Sequence, residues 1–254
     1  MKQFFNLFRY EMRTLLFSPA SYITATLFLA LMALIYLLII ENYNHSPHQT
    51  LPSTEFFRLF WIPVFFIVPL LTMKSFAEEN RLGTLETLLT TPVTPIAVVL
   101  GKFLSIYIFY IAMWCITLFY PLIIEYLLPH KSISHSLISS ASIIGGFAFI
   151  ALSGTLYISI GLFTSSLTRS QLVAGMFSFT LLFIALVGGR ILLDSSFIEN
   201  NLMKSLNIPI DYLQTFQHLE DFTLGIIDTR AFFFYLGNSA LILGLTSLII
   251  EYKA

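Results

Sequence analysis

Residues 75–94 read SFAEENRLGTLETLLTTPVT, a long polar interruption between two runs too apolar for any soluble loop. Glu78, Glu79, Arg81 and Glu86 gather charge here in a chain that has little of it. Gly83 lets the backbone turn. Thr84 is predicted as an N-cap whose hydroxyl accepts a free backbone N–H, with Glu86 in the first turn against the positive end of the helix. Leu85, Leu88 and Leu89 follow at i, i+3 and i+4, which makes one apolar face. Pro92 and Pro95 stop the helix, because neither can donate the next hydrogen bond and each pushes its predecessor out of the helical region. The reading is a short, capped, amphipathic helix held between two membrane spans, a shape suited to docking into something else.

The rest of the composition supports the flanking spans. Of 254 residues, 57% are hydrophobic and only 11% charged, and the mean hydropathy is +0.83. A soluble domain carries about 25% charged residues, so this chain cannot cover itself with a polar surface and the membrane is its solvent. No basic cluster points to nucleic acid. The single cysteine, Cys115, lies in an apolar run, so no intrachain disulfide forms. With no long linker and no internal repeat, residues 1–254 read as one all-α membrane domain.

Working outward, six spans are predicted at about 19–40, 56–73, 96–124, 141–165, 170–189 and 231–250, each near the roughly 20 residues that a hydrocarbon core requires. Ser18-Pro19 and Thr94-Pro95 read as cap-and-proline starts. Before the first span, Phe4, Phe5, Phe8, Met12, Leu15 and Leu16 recur at helical spacing opposite Lys2, Asn6, Arg9 and Arg13, the pattern of a helix lying in the membrane interface. A cleaved signal peptide is disfavoured, since no small-residue site follows the apolar run. Arg58 is placed to snorkel at the start of span two. Gly145, Gly146, Gly154 and Gly161 give span four a small-residue face for close helix packing. The segment 191–229 is too long for a plain turn. Asp211 and Gln214 resemble a capping box ahead of an apolar face of Tyr212, Phe216, Leu219 and Phe222. Gly225 would close that helix, and Asp228 would cap span six.

Lys and Arg divide eight to five between the two sides. Lys2, Arg9, Arg13, Lys74, Arg81, Lys102, Arg169 and Lys253 lie on one; Arg58, Lys131, Arg190, Lys204 and Arg230 lie on the other. The positive-inside rule then puts both termini and the 75–94 stretch in the cytoplasm. No HExxH, GxSxG or Walker A sequence occurs, and Gly101-Lys102 lacks the upstream glycine of a phosphate loop. The chain is therefore not expected to be an enzyme, to hold a cofactor or to bind a nucleotide. His45-x-x-His48 has a metal-compatible spacing, but these loop histidines read as solvated residues. The spans are expected to carry no charge in their middles, which argues against a proton-driven carrier.

Phe76-Ala77-Glu78-Glu79, Arg81, Gly83-Thr84-Leu85-Glu86-Thr87-Leu88-Leu89, Pro92 and Gly101-Lys102 resemble the ABC-2 family of ABC-transporter permeases, most of all its gliding-motility-associated branch. Ser18-Pro19, the 161–168 segment GLFTSSLT and the 225–230 segment GIIDTR agree, so the resemblance runs through nearly the whole chain. It implies a six-span permease of the cell's inner membrane with an N-terminal interfacial helix, a cytoplasmic coupling helix between spans two and three, and short outer helices before span six. It further implies an exporter built from two permease subunits, alike or different, and two separate cytoplasmic ATPase subunits that hold the ATP and Mg. By position, Glu79, Arg81, Gly83, Thr84, Glu86 and Leu89 would form the ATPase contact. The rival readings are a membrane assembly protein that recruits a partner without transport, and an ATP-independent channel or carrier.

Overall fold

The computed structural model describes residues 2–45, 51–85, 93–127, 139–188, 215–226 and 228–253. Among these there is no strand; the chain is helical throughout. Helix α1 covers Lys2–Phe17 and α2 Pro19–His45; α3 covers Pro52–Arg58, α4 Trp61–Thr72 and α5 Ala77–Leu82. They are followed by α6 (Pro95–Thr117), α7 (Phe119–Leu127), α8 (Ser140–Leu167) and α9 (Gln171–Phe183), which runs into a π-helical turn at Ile184–Gly188. Helices α10 (Thr215–Thr223) and α11 (Thr229–Lys253) complete the series. Six helical stretches are long and apolar enough to cross a membrane: Pro19–Tyr43, Trp61–Leu82, Pro95–Ile123, Ser140–Leu167, Gln171–Gly188 and Thr229–Lys253. The protein is a multi-pass membrane protein.

Local chemistry explains where the predicted spans needed correcting. Span two was expected as one helix from Phe56, but the chain breaks at Leu59–Phe60. Pro63 lies four residues after Leu59; its ring crowds that carbonyl and cannot donate to it, so the helix restarts at Trp61. Arg58 ends α3, where it pairs with Glu55 at 3.1 Å and with Glu220 of α10 at 3.4 Å. At its other end the same span does not give way to a loop at Ser75. It turns through Met73–Phe76 and resumes as α5, so Glu78, Glu79 and Arg81 sit on a helical extension of the span. Both proline starts hold: Pro95 opens α6 behind an extended Thr94, whose carbonyl accepts from Ala97 and Val98 at 2.9 and 3.2 Å, although its hydroxyl makes no cap bond.

Helix α8 is the most buried of the six spans and the axis of the bundle. Its glycines are contact points, as their spacing predicted. A Cβ on Gly145 would overlap the Phe222 carbonyl, one on Gly146 the Phe57 ring, and one on Gly161 the Thr72 side chain; on Gly154 it would lie 2.6 Å from the Tyr110 ring. In lipid, where apolar burial drives little association, such close approach is what holds helices together.

Helices α3 and α10 lie against the α8 N-terminus at one end of the bundle. Thr54 and Ser142 hydroxyls meet at 3.0 Å, and the Ser142 hydroxyl donates to the Thr223 carbonyl at 3.3 Å. Phe149 packs edge-on against Phe60, Phe222 and Tyr235. Gly225 does close α10, at φ +83°, with its N–H on the Phe222 carbonyl and that of Ile226 on Asp221. Asp228 caps α11, its carboxylate accepting from the Arg230 N–H at 2.8 Å. The expected start at Asp211 and Gln214, and the loop residues His48, His130 and His135, lie outside the described residues. So does the side chain of His45. Helix α1 lies at the opposite end, with α5 and the C-terminus of α8.

Candidate functional site

The site at the α1 end begins with the turn that closes span two. After Thr72 the helical N–H groups of Phe76 and Ala77 need new acceptors. Both donate to the Ser165 hydroxyl oxygen of α8, at 3.0 and 3.1 Å, and that hydroxyl donates in turn to the Met73 carbonyl at 3.2 Å. One turn later the Asn80 side-chain amide donates to the Ser166 and Thr168 carbonyls, both at 3.3 Å. Lys253 at the end of α11 donates to the same Ser166 carbonyl at 2.6 Å. These donors satisfy two carbonyls at the α8 C-terminus, those of Ser166 and Thr168, where a cation is also favoured by the helix dipole. Helix α5 is thereby fastened to the end of the bundle's axis.

A charge triad fastens it on the other side. Lys102, the eighth residue of α6, is 3% exposed, and its ammonium lies 2.7 Å from both Glu79 of α5 and Glu11 of α1. It also sits over the Phe76 ring at 5.5 Å. At 1.5 Å per residue it lies about 10 Å inside the helix, so the expectation of a merely peripheral cation is corrected: span three carries a buried charge. A buried ammonium requires close counter-charges; two carboxylates supply them and accept two of its three N–H bonds, while the second Glu79 oxygen is buried without a hydrogen bond among the described residues. Gly101 lets α1 come close enough for this, since a Cβ there would lie 3.2 Å from the Leu7 side chain, and the Ser105 hydroxyl reaches the Phe8 carbonyl at 3.3 Å. Helix α1 is thus docked on span three. Leu7 and Leu15 pack against the core, while Phe5, Leu16 and Phe17 are exposed.

Beyond these anchors the chain is exposed. Gly83 ends α5 in the left-handed conformation at φ +69°, and the next helix starts at once, so Thr84 is already helical rather than its N-cap. Arg81, Leu82, Gly83 and Thr84 face outward, and Leu85 turns back into the core. Of the six predicted contact residues, Arg81, Gly83 and Thr84 are therefore on the surface and Glu79 is engaged inward with Lys102. Glu86 and Leu89 lie outside the described residues. Sequence reasoning missed Glu11, Ser165, Asn80 and Lys253 as partners of this element. Only Glu11 left a signal, as the single acid of an otherwise basic amphipathic helix.

A projecting turn is fixed by directional bonds to α6 and α8, and through the shared Lys102 it is linked to Glu11 of α1. Compared with curated proteins, the chain finds no match. The family model described as "ABC-2 family transporter protein" matches residues 43–250, well over half of the chain, and takes in the α5–Gly83 turn, Lys102 and Ser165. With that match and six membrane-capable helices, the chain belongs to the ABC-2 transporter family and is a transmembrane permease.

Proposed function

We propose that this permease is the membrane subunit of an ATP-driven exporter, worked by separate ATPase subunits that dock on its α1 end. The observation that carries the reading is the exposed turn Arg81–Thr84 mounted on an element bonded to α6 and α8 and linked through Lys102 to α1. A coupling element must be accessible to its motor and stiffly joined to what it moves, and this one meets both conditions. The α1 end faces the cytoplasm of the cell's inner membrane with both termini, on the eight-to-five bias of Lys and Arg. Helix α1 lies in the membrane interface, and α3 and α10 cap the outer end. The working unit pairs two permease subunits. ATP and Mg belong to the partner ATPase, and this chain supplies neither catalytic group nor nucleotide site. The Glu79-x-x-x-Gly83-Thr84-x-Glu86-x-Leu88-Leu89 pattern supports the ABC-2 reading, and within it the chain most resembles the gliding-motility-associated branch.

Transport is then a shift between inward- and outward-facing packings of the spans. A partner drives that shift only if it binds the two packings unequally. Closure of the ATPase subunits pulls the turn, and the Glu79–Lys102–Glu11 triad and the Ser165 bonds carry the displacement into the bundle.

The test is a mild-detergent pull-down of the tagged protein beside a Gly83→Leu, Glu86→Lys variant. An ATP-hydrolysing subunit is expected to co-purify with the wild type and to be lost from the folded variant. If no ATPase is captured even after crosslinking in native membranes, the exporter reading fails, and recruitment without transport or an ATP-independent carrier replaces it.

A further inference from the structure

Two cavities meet between α2 and α4. The first, of about 520 Å³, lies at the α1 end and is walled by α1, the start of α2, the Met73–Phe76 turn and α5. The second, of about 270 Å³, is an almost wholly apolar groove lined by Leu27, Phe28, Leu31, Phe66 and Ile67. They share Thr24 and Leu70 in their walls, so a chamber lined by charged side chains lies next to an apolar groove. The groove runs from Thr24 to Leu31, about 10 Å along the helix axis, or about a third of the hydrocarbon thickness.

Charge defines what the polar chamber takes. Lys102 lines it, but both Glu11 and Glu79 are already spent on that ammonium. Two further charges remain. Lys74 makes no ion pair among the described residues, and Glu78 has only a 3.9 Å contact with Arg81 at the exposed edge. They are one helical turn apart, and the Glu78 N–H bonds to the Lys74 carbonyl, so both face one small volume. A cation and an anion side by side, above an apolar groove at the polar end of the spans, complement a zwitterion joined to an acyl chain.

We infer that this composite cavity binds a phospholipid whose headgroup carries a primary ammonium. The phosphate lies on Lys74, the ammonium donates to the Glu78 carboxylate, and one acyl chain occupies the α2–α4 groove. A choline headgroup has the same charges but no N–H to donate, so the site discriminates against it. The inference stands apart from the ATPase reading and needs no partner.

The test is native mass spectrometry of the full chain in detergent, titrated with phosphatidylethanolamine or with phosphatidylcholine of the same acyl chains. Half-occupancy is expected at about tenfold lower concentration of the ethanolamine lipid, the ratio that one charge-assisted hydrogen bond supports. Glu78→Gln should abolish the preference while binding persists. Lys74→Ala should weaken both lipids by about tenfold. Leu27→Trp, at a lipid-exposed position where folding tolerates bulk, should block both by filling the groove. Equal binding of the two lipids to the wild type overturns the inference, as does unchanged occupancy in both Lys74→Ala and Leu27→Trp. Loss of self-association rather than of lipid in Leu27→Trp also overturns it and gives the groove to a second copy of the chain. ATPase capture by the same preparations separates the two readings. Capture without lipid selectivity sinks only this site, and selectivity without capture sinks only the exporter.

Discussion

The two ends of the bundle are held by different physics. At the α10 end, α3, α10 and α8 meet mainly through rings and glycines: Gly145 under the Phe222 carbonyl, Gly146 under the Phe57 ring, and Phe149 among three aromatic neighbours, with the Thr54–Ser142–Thr223 hydroxyl bonds and the exposed Arg58–Glu220 pair beside them. Those contacts are short-ranged and fill space, so they resist any relative motion. At the α1 end the contacts are directional and polar: one ammonium between two carboxylates from different helices, and one serine hydroxyl bridging two N–H groups and a carbonyl. Such bonds depend on direction and charge, so this end is the more sensitive of the two to a change in either.

The largest effect is expected from breaking the charged end. Lys102→Met leaves two carboxylates facing each other without their cation, and should cost about 3–5 kcal/mol, the penalty for removing one partner of a buried ion pair. Adding Glu11→Gln and Glu79→Gln should restore most of that stability, because the whole charged set is then gone. Unfolding midpoints in detergent, compared for the single and the triple variant, check this; a triple variant no more stable than the single one would show that the triad is not a unit.

At the packed end, Gly145→Ala pushes a methyl into the Phe222 carbonyl and should cost about 1–3 kcal/mol through overpacking. Gly244, in the interior of α11, has open space around its missing Cβ. Gly244→Ala should therefore stabilise by about 0.5–1 kcal/mol, by restricting the unfolded chain. The same midpoint measurement reads both, and the comparison fails if the two alanines move it in the same direction.

The smallest expected effect is a pH dependence at the α10 end. His218 is buried, with Nδ1 3.5 Å from the Tyr235 hydroxyl. Burial pulls its imidazole below the ordinary range, and Asp221 and Asp228 oppose this only in part. The folded state thus prefers the neutral ring. As pH falls through about 6.5, the unfolded chain takes up the proton first and stability declines. His218→Phe should flatten that slope between pH 7 and pH 5 in midpoint-versus-pH curves. A slope unchanged in the variant would place the titrating group elsewhere.

What the sequence determined by itself follows from local rules. Span number and approximate place come from apolar runs of about 20 residues, which need no tertiary information. The proline starts of α2 and α6, the Asp228 cap and the Gly225 stop are likewise set by each residue's own backbone chemistry. So is the exposed turn at Gly83, because glycine tolerates φ +69° without strain. The break at Leu59 was also legible, four residues before Pro63, but the uniform apolarity of the run hid it.

Only the tertiary structure decided which polar residues belong together. Glu11, Glu79 and Lys102 lie far apart in the chain, and an acid on a basic amphipathic helix looks like any solvated charge until α1 is seen against α6. Ser165 and Asn80 are ordinary residues by pattern and become anchors because the α8 C-terminus ends beside α5. Lipid imposes no pattern on such contacts: apolar faces point outward as readily as inward, so periodicity cannot say which face of a span meets another helix. The partners of a buried charge are fixed by where the helices cross, and that is a property of the packed bundle alone.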